Sequence, residues 1–197
     1  MMNLNLDLSV PALMRDKELL MVFSLVYSKG CKSCLEIGSW WGGSAHIIYQ
    51  ALEANGSGKL VCLDAIHQAN EELRKKMSNR VTFLRGISPR DIGKAVDILG
   101  SPIDFAFIDG DHSYESVLAD CRGVEPHLSH DALLLFHDIS MESVKEAILD
   151  WMGEVKMAYC GGLSEVYTST FGGYGLGLVS WSAGKPLNKT PSTIKLM

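Results

Sequence analysis

The chemically capable residues of this chain stand where its apolar runs end. Glu36, Gly38 and Ser39 close one such run, and Asp64 closes the next. Gly86, Ile87 and Ser88 follow a third, Asp109, Asp111 and His112 a fourth, and His137 with Asp138 a fifth. The stretch E-I-G-S-W-W-G-G-S, from Glu36 to Gly43 and Ser44, is a glycine-rich turn that lets a ligand approach the backbone closely. It lacks the G-x-G-x-x-G spacing that cradles a pyrophosphate at a helix N-terminus, and its acid would sit badly beside a diphosphate. It suits a ligand whose nearby group is an ammonium. Asp64 can accept both hydroxyls of a ribose, and Ile87 with Ser88 can frame an adenine. Asp111 also suits the start of a following helix, and Trp40 and Trp41 can either stack on a ligand or pack against a helix.

The elements that must position these residues follow from periodicity. Residues 33–37, 59–63, 81–84, 103–108 and 132–136 are short apolar runs that predict buried strands. Helical spacing lies between them: from Ser44 to Asn55, over 70–77, over about 89–99, and after the cap-like Ser113 and Ser140. A first helix is expected after Ser9-Val10-Pro11, with Leu13, Leu20, Phe23 and Tyr27 on one face and Gly30 as its stop. The alternation predicts βαβ units around a parallel sheet, and in such sheets ligands bind outside the carboxyl ends of the strands. All the residues named above then share one rim. Near the end, residues 155–160, 165–170 and 175–181 read as strands too closely spaced for helical crossovers, so they pair antiparallel. The organisation expected is one domain over residues 1–182, with 1–30 a helical segment, and a loose tail over 183–197.

At 197 residues with 47% hydrophobic and 21% charged side chains, the chain suits a folded globular protein. A net charge of −5, with no basic cluster beyond Arg74, Lys75 and Lys76, argues against a nucleic-acid partner. No apolar run approaches the ~20 residues that span a bilayer, and no signal peptide is evident. Five cysteines scattered through apolar segments read as reduced thiols, including the C-x-x-C pair Cys31 and Cys34, which predicts a cytoplasmic setting. The apolar N-terminal helix offers a face on which two copies could pair as a homo-oligomer.

Taken together, the segments resemble the class I S-adenosylmethionine-dependent methyltransferases. Within them they are similar to the bacterial sugar O-methyltransferase and cephalosporin hydroxylase-like group, the methyltransferase family 24 type. The match rests on L-E-I-G-S-W-W-G-G-S (35–44), V-C-L-D (61–64) and F-L-R-G-I-S (83–88). It continues with F-I-D-G-D-H-S-Y-E (107–115), L-L-L-F-H-D (133–138) and G-L-G-L-V (175–179). The resemblance implies a Rossmann-like, seven-stranded, mostly parallel sheet with helices on both faces and an antiparallel C-terminal strand. It implies S-adenosylmethionine as cofactor. Glu36 would hold the methionine ammonium, often through water, with Gly38 and Ser39 against the aminocarboxypropyl chain. Asp64 would meet the ribose and Ile87 and Ser88 the adenine, while Gly43, Ser44, Gly86 and Asp109 complete the cofactor wall.

Many relatives hold a divalent cation at positions that are Asp109, His137 and Asp138 here. His137 departs from the Asp or Glu of magnesium-binding relatives, and imidazole suits softer metals. His112, three residues after Asp109, stands where related enzymes carry a general base, and an ordinary pKa near ~6.5 equips it for that. The activity implied is methyl transfer to a hydroxyl of a small molecule, a sugar or secondary metabolite. Two other readings are a nicotinamide-dependent oxidoreductase, opposed by the missing G-x-G-x-x-G, and a non-catalytic cofactor-binding protein.

Overall fold

Five apolar runs form the parallel strands β1 (Ser33–Ile37), β2 (Lys59–Asp64), β3 (Val81–Arg85), β4 (Ile103–Ile108) and β5 (Leu128–Phe136) in a computed structural model that describes residues 5–155, 160–168 and 175–181. The helices are α1 (Asp16–Lys29), α2 (Gly43–Ala54), α3 (Glu71–Met77), α4 (Ile92–Leu99), α5 (Tyr114–Val124) and α6 (Glu142–Glu154). Two further strands, β6 (Cys160–Thr168) and β7 (Gly175–Trp181), complete a seven-stranded sheet in the order β3-β2-β1-β4-β5-β7-β6. β7 runs antiparallel to both β5 and β6, as the short terminal spacing requires. Of the three terminal strand candidates, the first begins at Val155, which instead caps α6. Residues 156–159, 169–174 and the expected tail over 183–197 lie outside the described residues.

Strand alternation divides the core in two. Leu35, Ile37, Val61, Leu63, Ala106 and Ile108 pack under α4, α5 and α6. Cys34, Leu60, Cys62, Phe105 and Phe107 pack under α1, α2 and α3. Each large side chain so buried stabilises the fold by roughly 1.5–3 kcal/mol. Because side chains alternate along a strand, Glu36 shares the face of Cys34, toward α1 and α2.

The start of the chain departs from expectation. Helix α1 begins at Asp16, so within the helical segment expected over 1–30 the described residues 5–15 are not helical. Ser9 is no helix cap: its N–H and hydroxyl both donate to Asp7. Asp7 in turn exchanges two backbone hydrogen bonds with the Gln50 side chain on α2, at 2.8 and 3.0 Å, which holds this stretch non-helical. The true start is a capping box, in which the Arg15 N–H donates to Glu18. Ser140 likewise caps nothing, since Met141 occupies the N-cap of α6, whereas Ser113 caps α5 as expected.

Backbone hydrogen bonds stitch the carboxyl rim of the sheet together. The N–H of Gly86 donates to Asp64, Gly38 to Leu63, Asp109 to Ile37 and His137 to Ile108, at 2.8 to 3.1 Å. Gly38 pays the steric cost of that closeness. Its φ is +83°, and a Cβ there would stand 2.0 Å from the Asp109 carbonyl oxygen. Gly38→Ala is therefore expected to destabilise the protein by at least ~2 kcal/mol in urea titration. An unchanged midpoint would contradict this close approach.

Candidate active site

A cavity of about 460 Å³ opens on this rim at the point between β1 and β4 where the strand order reverses. The sequence-predicted residues Gly38, Ser39, Gly43, Ser44, Asp64, Gly86, Ile87 and Ser88 line it, as do Asp109, Asp111, His112, His137 and Asp138. Glu36 is not on the wall. It lies behind it, fully buried, and neither carboxyl oxygen has a hydrogen-bond partner. Burial pushes its pKa up to about 7, which the nearby Ser44 hydroxyl and Cys62 thiol only partly oppose. No basic side chain is among the groups that act on it, so a cation bound at the cavity would relieve this buried acid.

Asp64 has a structural task besides any ligand. Its Oδ2 accepts the N–H groups of Ser39 (2.7 Å) and Trp40 (2.9 Å), and its Oδ1 that of Ile66 (2.8 Å). Burial works to raise its pKa, but these three donors hold it below the usual carboxylate range. They also fix the glycine turn, in which Trp40 adopts a positive φ of 39°. His67, which has no role legible from its position in the chain, supports the same turn through a 3.0 Å contact of Nδ1 with the Ser39 hydroxyl. Trp40 and Trp41 are exposed on the cavity wall, where their rings meet each other and stay out of the core.

Across the cavity, two acids and two imidazoles alternate in a closed ring. His112 Nε2 lies 3.3 Å from Asp109 Oδ1 and 3.3 Å from Asp138 Oδ2. His137 Nδ1 lies 3.2 Å from the same Asp109 oxygen and 3.3 Å from the same Asp138 oxygen. The hydrogen bond to Asp109 raises the pKa of His112. Burial disfavours charge on His137, yet Asp109, Asp138 and Glu18 together push it up to about 12. Asp109 is held low, its burial outweighed by the two histidines. Asp138 carries a left-handed φ of 54°, a strained conformation of the kind that persists at functional sites.

Glu18 was not legible in the sequence. It reaches from α1, fully buried, to place Oε2 3.6 Å from His137 Nε2 while Oε1 accepts the Gly175 N–H at 3.0 Å. Residues 11–14 were missed as well, and they form part of the cavity wall. Asp120 of α5 is a third omission, buried on that wall. It did leave a signal: it sits at i+3 in the apolar stripe Val117, Cys121, Val124.

Asp109, His137 and Asp138 each offer a ligand atom, all within 4.8 Å of one another. Asp138 Oδ1 is buried without a partner, and Glu18 backs His137 in the manner of an outer-shell carboxylate. Two carboxylates and one imidazole fit a divalent transition metal, in competition with the Nδ1 proton, better than they fit magnesium.

A family model described as a methyltransferase domain matches residues 35–139. Among solved structures, the chain is similar to the O-methyltransferase from Bacillus cereus in complex with SAH. That protein is 20% identical with a TM-score of 0.68, over 88% of this chain and 85% of that one. The O-methyltransferase TomG from Streptomyces achromogenes, involved in tomaymycin synthesis and solved with SAM, is 14% identical with a TM-score of 0.64, over 88% and 82%. MycE methyltransferase from the mycinamycin biosynthetic pathway, solved with Mg, SAH and mycinamycin VI, is 15% identical with a TM-score of 0.62, over 89% of this chain and 51% of that one. At such identities the likeness is one of fold. No curated protein matches the chain in sequence.

Proposed function

This chain belongs to the methyltransferase-domain family and is an S-adenosylmethionine-dependent methyltransferase, and from that premise we propose that its acceptor is a hydroxyl of a small molecule. The observation that carries the proposal is an imidazole with two carboxylates, His112 with Asp109 and Asp138, on the wall of the cavity formed by the acid- and glycine-rich rim. Family membership sets aside the nicotinamide-dependent oxidoreductase.

Bound S-adenosylmethionine supplies a methyl group on a sulfonium, a good leaving group, so the protein has mainly to orient the acceptor and take its proton. Glu36 would neutralise the ammonium, directly or through water. Gly38, Ser39, Gly43 and Ser44 would lie along the methionine chain, Asp64 at the ribose, and Gly86, Ile87 and Ser88 at the adenine, with Asp109 at their junction. His112 would remove the hydroxyl proton, and Asp109 and Asp138 would stabilise the imidazolium it becomes. Asp109, His137 and Asp138 would hold a divalent cation, whose chemistry is to lower the pKa of an acceptor hydroxyl.

One similar solved structure is named an O-methyltransferase and another, from the mycinamycin biosynthetic pathway, holds mycinamycin VI, which supports an acceptor among small molecules of the sugar or secondary-metabolite kind. Cys31, Cys34, Cys62 and Cys121 are buried free thiols, which supports the cytoplasmic reading. Among the described residues no helix is long and apolar enough to cross a membrane.

The test is incubation with methyl-labelled S-adenosylmethionine and a library of hydroxyl, amine and thiol acceptors, each with and without chelator. Methyl ethers are expected, and the His112→Ala variant should lose ~10²-fold in kcat with little change in cofactor affinity. Labelled amines or thioethers in place of ethers would overturn the hydroxyl assignment. Unchanged turnover in the variant would remove His112 as base.

A further inference from the structure

We propose that Glu18 is a positioning residue that selects the metal: from α1 it holds the proton of His137 on Nε2, turns Nδ1 to the cation and makes the centre prefer a first-row transition ion to magnesium. The proposal rests on the reading of Asp109, His137 and Asp138 as metal ligands given above. Glu18 belongs to the capping box that starts α1, where its Oε2 accepts the Arg15 N–H at 2.8 Å. A cap needs no burial, yet Glu18 is fully buried. Glutamates are almost never so placed unless paired, because a buried carboxylate is costly without donors around it. The further donors come from the ends of two strands far along the chain. The Gly175 N–H, at the start of β7, donates to Oε1 at 3.0 Å, and His137 Nε2, just after β5, faces Oε2 at 3.6 Å. That nitrogen is buried and has no closer hydrogen-bond partner among the described residues.

The two ring nitrogens of His137 are thereby given different tasks. An imidazole that keeps its proton on Nε2 presents a lone pair at Nδ1. Here Nδ1 stands 3.2 Å from Asp109 Oδ1 and 3.3 Å from Asp138 Oδ2. Ligand atoms bound to one ion at ~2.1 Å lie roughly 3.0–3.4 Å apart at octahedral or tetrahedral angles, and both separations fall in that interval. A carboxylate behind a ligating imidazole fixes its tautomer and raises its basicity, which strengthens a nitrogen–metal bond. Magnesium prefers oxygen ligands and gains little from it. Gly175 completes the arrangement: its carbonyl accepts the Ile139 N–H at 3.3 Å, so the residue that Glu18 holds also anchors the backbone that follows Asp138.

The experiment is calorimetric titration of the full chain and its Glu18→Gln variant, both stripped with chelator, with cobalt(II) and separately with magnesium. The visible bands of bound cobalt report the ligand set. Glutamine serves a capping box as glutamate does, so the variant should keep its fold and its urea midpoint. Wild type should bind cobalt more tightly than magnesium. Glu18→Gln should lose ~10–100-fold in cobalt affinity, with shifted bands, while its magnesium affinity stays the same. NMR of the zinc-loaded wild type with isotope-labelled histidine should place the proton of His137 on Nε2 and the metal on Nδ1, a readout that needs no variant. Equal losses for the two metals would show a residue that merely holds the fold and overturn the proposal. So would an unchanged cobalt affinity, or zinc found on Nε2. Wild type binding neither ion would bring down the metal reading itself, and the proposal with it.

Discussion

Glu36→Gln is expected to make the ligand-free protein more stable above pH 7 while weakening S-adenosylmethionine binding ~100-fold. Both effects come from one buried carboxyl. In the unfolded chain its pKa is the ordinary 4.5, and in the fold burial lifts it to about 7. A folded-state value above the unfolded one means that the native state binds the proton more tightly. The stability this contributes is complete below pH 4.5 and is lost progressively as pH rises through 7. The interval corresponds to about 3 kcal/mol. Glutamine keeps the shape but never ionises, so the variant and wild type should unfold together near pH 4.5 and diverge by pH 8. Urea titrations across that range measure the divergence. The cost has a purpose only if a cation repays it: an ammonium near Glu36 would restore its ionised form, so wild-type binding at pH 6 should release a proton that Glu36→Gln does not. Calorimetry in two buffers of different ionisation enthalpy reads that proton. Parallel stability curves for the two proteins would show that Glu36 is not the strained acid described here.

Asp109→Ala is expected to reduce methyl transfer by ~10³-fold or more under saturating cofactor. The Asp109 carboxylate is the shared acceptor of His112 and His137, at 3.3 and 3.2 Å, and removing it deprives both imidazoles of a partner at once. Groups that act as a unit lose nearly everything when one is removed, which is why the effect should exceed that of His112→Ala. The fold should survive, because the strand-end hydrogen bond of residue 109 to Ile37 uses backbone only. Single-turnover assays on the folded variant measure the loss directly. Transfer within ten-fold of wild type would move the chemistry away from this ring. Asp109→Asn separates charge from shape: if charge carries the effect, it should be nearly as slow.

Glu36, Asp64, Asp109, His112, His137 and Asp138 were legible because strands end where apolar runs end, and parallel strands in register bring those ends to one edge. The register does this without further instruction: Ile37 pairs with Leu63 and with Ile108, so the residues that follow each strand must meet. The alternation of strand and helix, the antiparallel finish and the glycine at position 38 are local properties of the same kind.

What the sequence could not disclose are contacts whose partners share no period. Glu18 meets Gly175 across 157 positions, and Ser88 meets Asp120 across 32. His67 supports Ser39 from the loop after a different strand, and the non-helical residues 11–14 cover the cavity because Asp7 and Gln50 hold each other. Hydrophobic periodicity determined the sheet, its two helical layers and its reactive edge, since each follows from side chains a few residues apart. Only the tertiary structure decided which distant carboxylate faces which imidazole or hydroxyl, because that depends on how whole helices pack and is written in no single stretch of chain.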